Sequence, residues 1–559
     1  MTGAEALVAS LLEEGVGTVF GYPGGAIMPV YDALYDYQDR LRHVLVRHEQ
    51  GAVHAAQGYA RVSKSVGVCL ATSGPGATNL ITGIADAHID STPLVCITGQ
   101  VASHLLGTDA FQETDVIGIS MPVTKWNYQV TKATDIPAAV AKAFYIARSG
   151  RPGPVLLDIT KDAQFNTLDF TYEPCVGIRS YAPFPKSRPD DVLAAASLIN
   201  SAKKPYILVG QGVLLSGAQE EFRAFVEKTG IPVASTLLGL SALPCDHPLY
   251  VGYLGMHGNY GPNVKTNEAD VIIAVGMRFD DRVTGNLAHY AKQAKIVHIE
   301  IDPAEINKNV HADVAINADA KEALLALTPH VREGSHKTWI EEFKRCDAVE
   351  REKVIVKDFA LPENSIKMAN VVERLSRKTN GEAIIVTDVG QHQMVVSRYY
   401  AFRGRDNNVT SGGLGTMGFA LPAAIGAKIA RPQDEVIAVI GDGGFQMTLQ
   451  ELGTIFQEET AVKIVLLNNN FLGMVRQWQQ LFFDRRYSSV EMKNPDFIKI
   501  AEGFGIKARK IQHPGELDTA LDEMLAHNGA YFLEVVVEKE ENVFPMVPTG
   551  ASVAEIRLE

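Results

Sequence analysis

No stretch of this sequence stays apolar over the roughly 20 residues that a membrane-spanning helix needs, so the chain is read without a span. Positive charge is also short. Lys and Arg number 52 against 65 Asp and Glu, a formal net charge of −13, which argues against a nucleic-acid groove or an anionic membrane surface as partner. Cysteine is scarce and scattered: Cys69, Cys96, Cys175, Cys245 and Cys346 show no paired metal spacing, and most read as small core residues. A leader peptide has little room, because Thr2 and Glu5 form a capping-box pattern that opens a helix through Ala6, Leu7, Leu11 and Leu12. The expectation is a cytoplasmic chain of a reducing compartment.

What the chain does have is length and apolar content. Its 559 residues, 46% of them hydrophobic, bury sizeable cores and suggest about three or four domains. Residues 1–165 alternate helical patterns with strands expected at 18–20, 44–47, 66–71, 94–98 and 155–159. A stretch rich in Pro and aromatic residues, 170–190, reads as a linker. A second block, 188–328, has strands near 205–209, 271–275 and 296–301. Charged, weakly patterned sequence from about 329 to 364 marks the next boundary. A third block, 365–545, has strands at 383–387, 435–440, 463–467 and 531–537, followed by a tail, 546–559. The fold expected is α/β, three doubly wound parallel-sheet domains, with no short-period repeat.

One stretch of the third block carries chemistry. Gly441-Asp442-Gly443 closes one short β-branched run, and Asn468-Asn469-Asn470 closes the next. Between them, residues 448–458 have helical spacing, with Leu449, Leu452, Ile455 and Phe456 on one face. Strand, helix and strand make a right-handed crossover that returns the chain to the same sheet edge. Asp442 and Asn469 therefore emerge side by side where open α/β sheets bind ligands. A carboxylate and an amide oxygen suit Mg²⁺, which also takes phosphate oxygens, and Gly443 and Gly444 let backbone N–H groups approach that phosphate. Each motif alone is a common turn; in register on adjacent strands they point to a metal-bridged phosphate.

In the first block, Glu49 ends a strand and starts a small-residue helix. An acid there gains from the helix dipole, as any residue near an N-cap would. The alternative is a carboxyl group shielded from water and holding a proton against a ligand nitrogen. Two Gly-rich strand-to-helix loops, FGYPGGAIMPVYDAL and ATSGPGATNLITGIADA, flank it.

Glu49 in this setting, with Gly-Asp-Gly and the Asn pair about 27 residues on, resembles the thiamine diphosphate enzymes. RHEQGAVHAAQGYAR, TSGPGATNL, GTDAFQE, GMRFDDRVTG, DVGQHQM, GLGTMGFALPAA and NNNFLGMVRQWQ extend the resemblance to the acetohydroxyacid (acetolactate) synthase catalytic subunits over essentially the whole chain. The resemblance implies a pyrimidine-binding first domain, a central FAD-binding domain and a third domain for the diphosphate and Mg²⁺. It assigns Glu49 to the N1′ of the aminopyrimidine. Asp442, Asn469 and the main-chain carbonyl of Phe471 become the Mg²⁺ ligands. Gln391, His392, Gly443 and Gly444 become diphosphate contacts, and Met417 the support of the bent cofactor; Tyr22, Pro75, Asn79 and Met474 join the cofactor set. Arg151, His257, Arg278, Asp302 and Asp319 fall to cofactor binding in and around the central domain, where GQGVLLSG alone is only a partial Gly-x-Gly fingerprint.

For substrate, the resemblance implies that Arg282 grips a 2-keto acid carboxylate, a geometry that suits a guanidinium fork; read locally, it is equally a loop arginine paired to Asp280 or Asp281. Trp478 would favour 2-ketobutyrate through its extra methyl, though a tryptophan in VRQWQQLFF also reads as helix-face core. Gln112 would lie near the reacting centre. Also implied are pyruvate and 2-ketobutyrate as substrates, a homodimer or homotetramer with the site between subunits, and a separate small regulatory subunit. The tail departs slightly, with Thr549 where the family often has a second proline.

Overall fold

The computed structural model describes residues 1–360 and 364–559. Its frame is three six-stranded sheets, and every strand pairing within them is parallel. The first sheet holds β1 (Thr18–Gly21), β2 (Arg42–Leu45), β3 (Gly67–Ala71), β4 (Leu94–Gln100), β5 (Trp126–Val130) and β6 (Pro154–Thr160), in the order β2-β1-β3-β4-β6-β5. The second holds β7 (Pro205–Val209), β8 (Val233–Ser235), β9 (Tyr250–Tyr253), β10 (Val271–Val275), β11 (Lys295–Glu300) and β12 (Val314–Asn317), ordered β12-β11-β10-β7-β8-β9. The third holds β13 (Ile384–Thr387), β14 (Asn408–Thr410), β15 (Val436–Gly441), β16 (Lys463–Asn468), β17 (Lys507–Ile511) and β18 (Tyr531–Val536), ordered β14-β13-β15-β16-β18-β17. The first and third sheets thus share one strand order, a duplication that the sequence does not display.

Each sheet is covered on both faces, which is why its central strands read as unbroken apolar runs. In the first sheet Val68, Leu70, Val95 and Ile97 enter one core, while Cys69, Ala71, Leu94 and Cys96 enter another on the opposite face. The third sheet repeats this, with Val439 and Val465 in one core and Ile440 and Leu466 in the other. The first and third sheets meet through two helices, Glu49–Ser63 and Ala420–Ala430. Both have glycine at the crossing: a Cβ at Gly58 would overlap the Ala423 carbonyl, and one at Gly426 the Ala55 carbonyl.

Several expectations need correction. The helix expected over 448–458 begins at Asp442, tightens to a 3₁₀ turn at Leu449–Glu451 and resumes at Leu452–Gln457. Leu452 and Ile455 are buried on it, but Phe456 is 63% exposed because it lies at the rim beside Gly505. The stretch 329–364 is largely helical, with Lys337–Glu350 running into a π-helical turn, Arg351–Ile355, and then Val356–Phe359; residues 361–363 lie outside the described residues. Its pattern is sparse: only Trp339, Phe343, Cys346 and Glu350 of the first helix are buried, at intervals of three or four residues. Cys69, Cys96 and Cys346 are buried, whereas Cys175 and Cys245 are half-buried.

The tail folds back onto the middle domain. Met546 and Arg557 exchange backbone hydrogen bonds of 2.9 and 2.8 Å, and the Val547 N–H donates to the Met256 carbonyl at 2.8 Å. Gly285 and Ser552 form a bridge. Thr549 is no obstacle to this ordering.

Candidate active site

In a doubly wound sheet, ligands bind where the strand order reverses, outside the carboxyl ends. In the third sheet that point lies between β13 and β15. Asp442 leads the helix after β15 and is 1% exposed. Burial pushes its carboxyl up to about 6, and no cation faces it among the described ion pairs. Its Oδ2 instead accepts from Asn494 Nδ2 at 2.6 Å, and the same amide donates to Asn468 Oδ1 at 3.0 Å. Asn469 is also buried, and its Oδ1 accepts from the Phe471 N–H at 3.1 Å. No cluster of three or more His, Cys, Asp and Glu side chains suited to a metal occurs among the described residues, so a cation here would need amide and main-chain oxygens beside Asp442.

After β13 comes the helix Gln391–Tyr399. His392 packs between Gly390 and Gly441 and is buried, which pushes its pKa down to about 4; its Nε2 has no partner among the described residues. Gln391 Nε2 donates to Gln477 Oε1 at 3.0 Å and to the Glu541 carbonyl at 2.9 Å. Gly443 and Gly444 stand in the first turn of the helix Asp442–Thr448, where backbone N–H groups lack intrahelical acceptors. A neutral imidazole with a free nitrogen, a helix start and an unpaired buried carboxylate suit a diphosphate bridged by a divalent cation.

A second group forms at the switch point of the first sheet, between β1 and β3. Tyr22 follows β1 and is 40% exposed; Pro75 opens the short helix Pro75–Asn79 after β3. Glu49, the first residue of its helix, is half-buried, and its Oε2 accepts from Asn79 Nδ2 at 3.0 Å. Gln112 has a left-handed backbone (φ 61°), and its main chain packs against Gly74.

The third feature is a cavity of about 790 Å³. It opens at the carboxyl ends of the second sheet, around the reversal between β7 and β10, where Gly212, Arg278 and Asp319 line it. The order of this sheet, β9-β8-β7-β10-β11-β12, is the one that cradles dinucleotides. Arg151 and His257 also line the cavity. Asp302 stands behind Arg151 and accepts from its Nη1 at 3.3 Å, while Glu305 takes the same nitrogen at 3.0 Å. From the third domain, Met417, Met474 and Trp478 reach the same cavity, and Arg282 enters it from the second. Arg282 is not locked into its own loop: Asp281 lies 3.8 Å from its Nε, and among the described residues Nη1 meets only Met256 Sδ, at 3.4 Å. Trp478 packs on Phe482 with ring centroids 5.4 Å apart but is only half-buried, so it is not helix-face core alone.

The structure therefore gathers the expected residues into three sets. Glu49, Asn79, Tyr22, Pro75 and Gln112 form one. Asp442, Asn469, Phe471, Gln391, His392, Gly443 and Gly444 form the second, and the cavity residues the third. Reading the sequence missed Asn494, which holds Asp442 and Asn468 together from the loop KNPD. It also missed Glu451, buried, raised to about 7 by that burial, and accepting from the Arg47 N–H at 3.1 Å beside the Glu49 helix. Neither has a local signal; only the Asn-Pro turn hints at the first.

Three family models match, all described as thiamine pyrophosphate enzyme domains: the N-terminal TPP binding domain over residues 1–119, the central domain over 192–327 and the C-terminal TPP binding domain over 388–535. Among curated proteins, the chain is 47% identical to the acetolactate synthase isozyme 2 large subunit of Escherichia coli (strain K12), over all of this chain and 99% of the relative. It is 46% identical to the probable acetolactate synthase large subunit of Methanocaldococcus jannaschii, over all of this chain and 95% of that protein. The acetolactate synthase large subunit of Corynebacterium glutamicum is 47% identical, over all of this chain and 90% of its own length.

Proposed function

The chain belongs to the acetolactate synthase large-subunit family of thiamine diphosphate enzymes, and from that premise we propose how its own residues carry the reaction. The enzyme decarboxylates pyruvate and ligates the two-carbon unit to pyruvate, giving 2-acetolactate, or to 2-ketobutyrate, giving 2-aceto-2-hydroxybutyrate, in branched-chain amino acid biosynthesis. Thiamine diphosphate, when bound, supplies the electron sink for decarboxylation. Glu49 would face the aminopyrimidine N1′ and exchange a proton with it. Asp442, Asn469 and the Phe471 carbonyl would hold Mg²⁺. His392, the main-chain N–H of Gln391 and the N–H groups of Gly443 and Gly444 would take the diphosphate oxygens, and Met417 would support the cofactor.

Arg282 grips the carboxylate common to both acceptors, because a planar guanidinium can donate two parallel hydrogen bonds to it. Trp478 meets the methyl that distinguishes 2-ketobutyrate, and Gln112 adds a polar group near the reacting centre. Arg151, His257, Arg278 and Asp319, with Asp302 behind, would hold FAD at the second-sheet end of the large cavity. In a homodimer or homotetramer, the Glu49 set of one subunit faces the Asp442 set of another. A small regulatory subunit accords with the large-subunit name of the relatives, and the cytoplasm is the expected compartment.

The observation that carries this reading is the single cavity shared by Arg282 and Trp478, which come from different domains. Product analysis with pyruvate alone, and then with 2-ketobutyrate added, tests it. The expected products are 2-acetolactate in the first case and both acetohydroxy acids in the second. Acetaldehyde or acetyl phosphate as the main product would overturn it.

A further inference from the structure

The loop 411–418, Ser-Gly-Gly-Leu-Gly-Thr-Met-Gly, leaves β14 and lines the large cavity through Ser411–Gly415 and Met417. Four of its eight residues are glycine, and Gly415 and Gly418 take left-handed backbones (φ 70° and 88°). A loop of this composition has little stiffness of its own. Its placement comes from side chains of the first domain.

Asp90, fully buried at the end of the helix Ile81–Ile89, accepts from the Gly412 N–H on Oδ2 at 2.8 Å and from the Gly413 N–H on Oδ1 at 2.7 Å. Arg61 Nη2 meets Asp90 Oδ2 at 2.8 Å, and Arg61 Nη1 donates to the Thr410 carbonyl at 2.5 Å. One turn back on the Asp90 helix, Asp86 Oδ1 accepts from the hydroxyls of Ser411 and Thr416, the latter at 3.0 Å. The approach is close: a Cβ at Gly413 would lie 2.8 Å from Ile89 Cγ1 and 3.0 Å from Asp90 Oδ1. On the far side, both oxygens of Asp388 accept from the Gly418 N–H, at 2.9 and 3.0 Å. Arg61 sits on the helix that begins with Glu49.

We infer that Asp90, with Arg61 and Asp86, forms a positioning cluster that clamps the 411–418 loop and so sets the cavity wall that carries Met417. A buried ion pair contributes when its remaining hydrogen-bonding sites are also satisfied, and the two glycine N–H groups do this for Asp90. The cluster touches neither substrate nor cofactor; it acts through the loop. The same helix thus sets Glu49 at its start and, through Arg61 and Asp90, the loop of the third domain. The inference rests on reading the large cavity as the reaction site.

Hydrogen exchange of the holoenzyme, followed in peptides covering 409–419, tests the clamp directly in Asp90→Asn. The loop amides should exchange at least about tenfold faster, with the helix Glu49–Ser63 unchanged. Turnover should fall by about 10- to 10²-fold, as for a displaced catalytic wall, and thiamine diphosphate affinity should weaken, while the KM for pyruvate stays within about twofold. Unchanged loop exchange would overturn the inference even if activity were lost. If exchange rises everywhere because Asp90→Asn folds poorly, Thr416→Val decides. That variant removes one hydroxyl from Asp86 and leaves the ion pair intact; faster exchange confined to the loop supports the clamp, and no change overturns it. Wild-type enzyme that forms no acetohydroxy acid would sink the reading of the site and leave the exchange result standing.

Discussion

At the residue scale, the site residues differ in how openly the sequence announces them. Asp442 and Asn469 are legible because a crossover places the ends of β15 and β16 side by side, and the structure sets both there, buried. Glu49 is legible only through the family motif, since an acid at a helix start has a plain dipole explanation. Glu49→Gln should fold, because an amide oxygen can still accept from Asn79 Nδ2. It should lose about 10²- to 10⁴-fold in turnover, the usual contribution of a general acid–base group. Activity within a factor of two of wild type would remove Glu49 from proton exchange. Trp478 and Arg282 share the cavity but answer different questions about the acceptor. One methylene in an apolar pocket discriminates by about 10- to 200-fold, so Trp478→Leu should lower the preference for 2-ketobutyrate while acetolactate formation continues. Arg282→Lys should weaken ligation to both acceptors, because the two-pronged grip is lost whichever is bound. Competition assays that quantify both products separate the two effects.

At the element scale, the central strands were mostly plain in the sequence, and among the edge strands only β2 was. All the strands without a sequence signal, β5, β8, β9, β12, β14 and β17, lie at or next to a sheet edge or are only three residues long. Lys507-Ala508-Arg509-Lys510-Ile511 in β17 has no run of apolar residues, because a strand with one partner need not be buried on every side. Helix contacts between domains were equally hidden. Gly426→Ala would drive a methyl into the Ala55 carbonyl at the crossing of Glu49–Ser63 and Ala420–Ala430. Overpacking of this kind costs about 1–3 kcal/mol, and the denaturant midpoint should fall accordingly; an unchanged midpoint would mean the helices slide apart freely.

Strand-to-strand polar contacts make a pH prediction. Asp158 of β6 accepts from Thr98 Oγ1 at 2.6 Å, Gln100 Nε2 at 3.1 Å and Gln129 Nε2 at 3.1 Å. Burial outweighs these bonds and pushes its carboxyl from 3.8 up to about 6. The folded state therefore holds the proton more tightly than the unfolded state. The stabilisation from this group is full below the unfolded pKa and is lost as pH rises through about 6. Asp158→Asn should accordingly gain stability relative to wild type as pH rises from 3.8 to about 6 and hold that gain above it, read as the difference in unfolding midpoints. A difference that does not move with pH would show that another group controls this window.

At the scale of the whole molecule, the sequence conveys three α/β blocks but not that the first and third share a strand order, nor that the tail returns to Met256 and Gly285. The strand order depends on pairings between segments separated by whole helices, and the tail's return on contacts between residues hundreds of positions apart, neither of which a local pattern encodes. If the Glu49 set of one subunit serves the Asp442 set of another, two inactive variants can complement. Glu49→Gln and Asp442→Ala chains, unfolded and reassembled together, should recover up to about a quarter of wild-type activity, since random pairing makes half the dimers mixed and each mixed dimer has one intact site. No recovery in mixed dimers would place both sets of one site in a single chain. The shared strand order also has a consequence in time. In the first sheet β6 lies between β4 and β5, and in the third β18 lies between β16 and β17. Each outer strand leaves the ribosome before the strand it must pair with, and at about 5–20 residues per second a gap of roughly 20–25 residues leaves it waiting about one to five seconds. The Asn and Gln of β5 and the three cations of β17 keep those strands hydrated and unattractive to neighbouring nascent chains until their partners arrive.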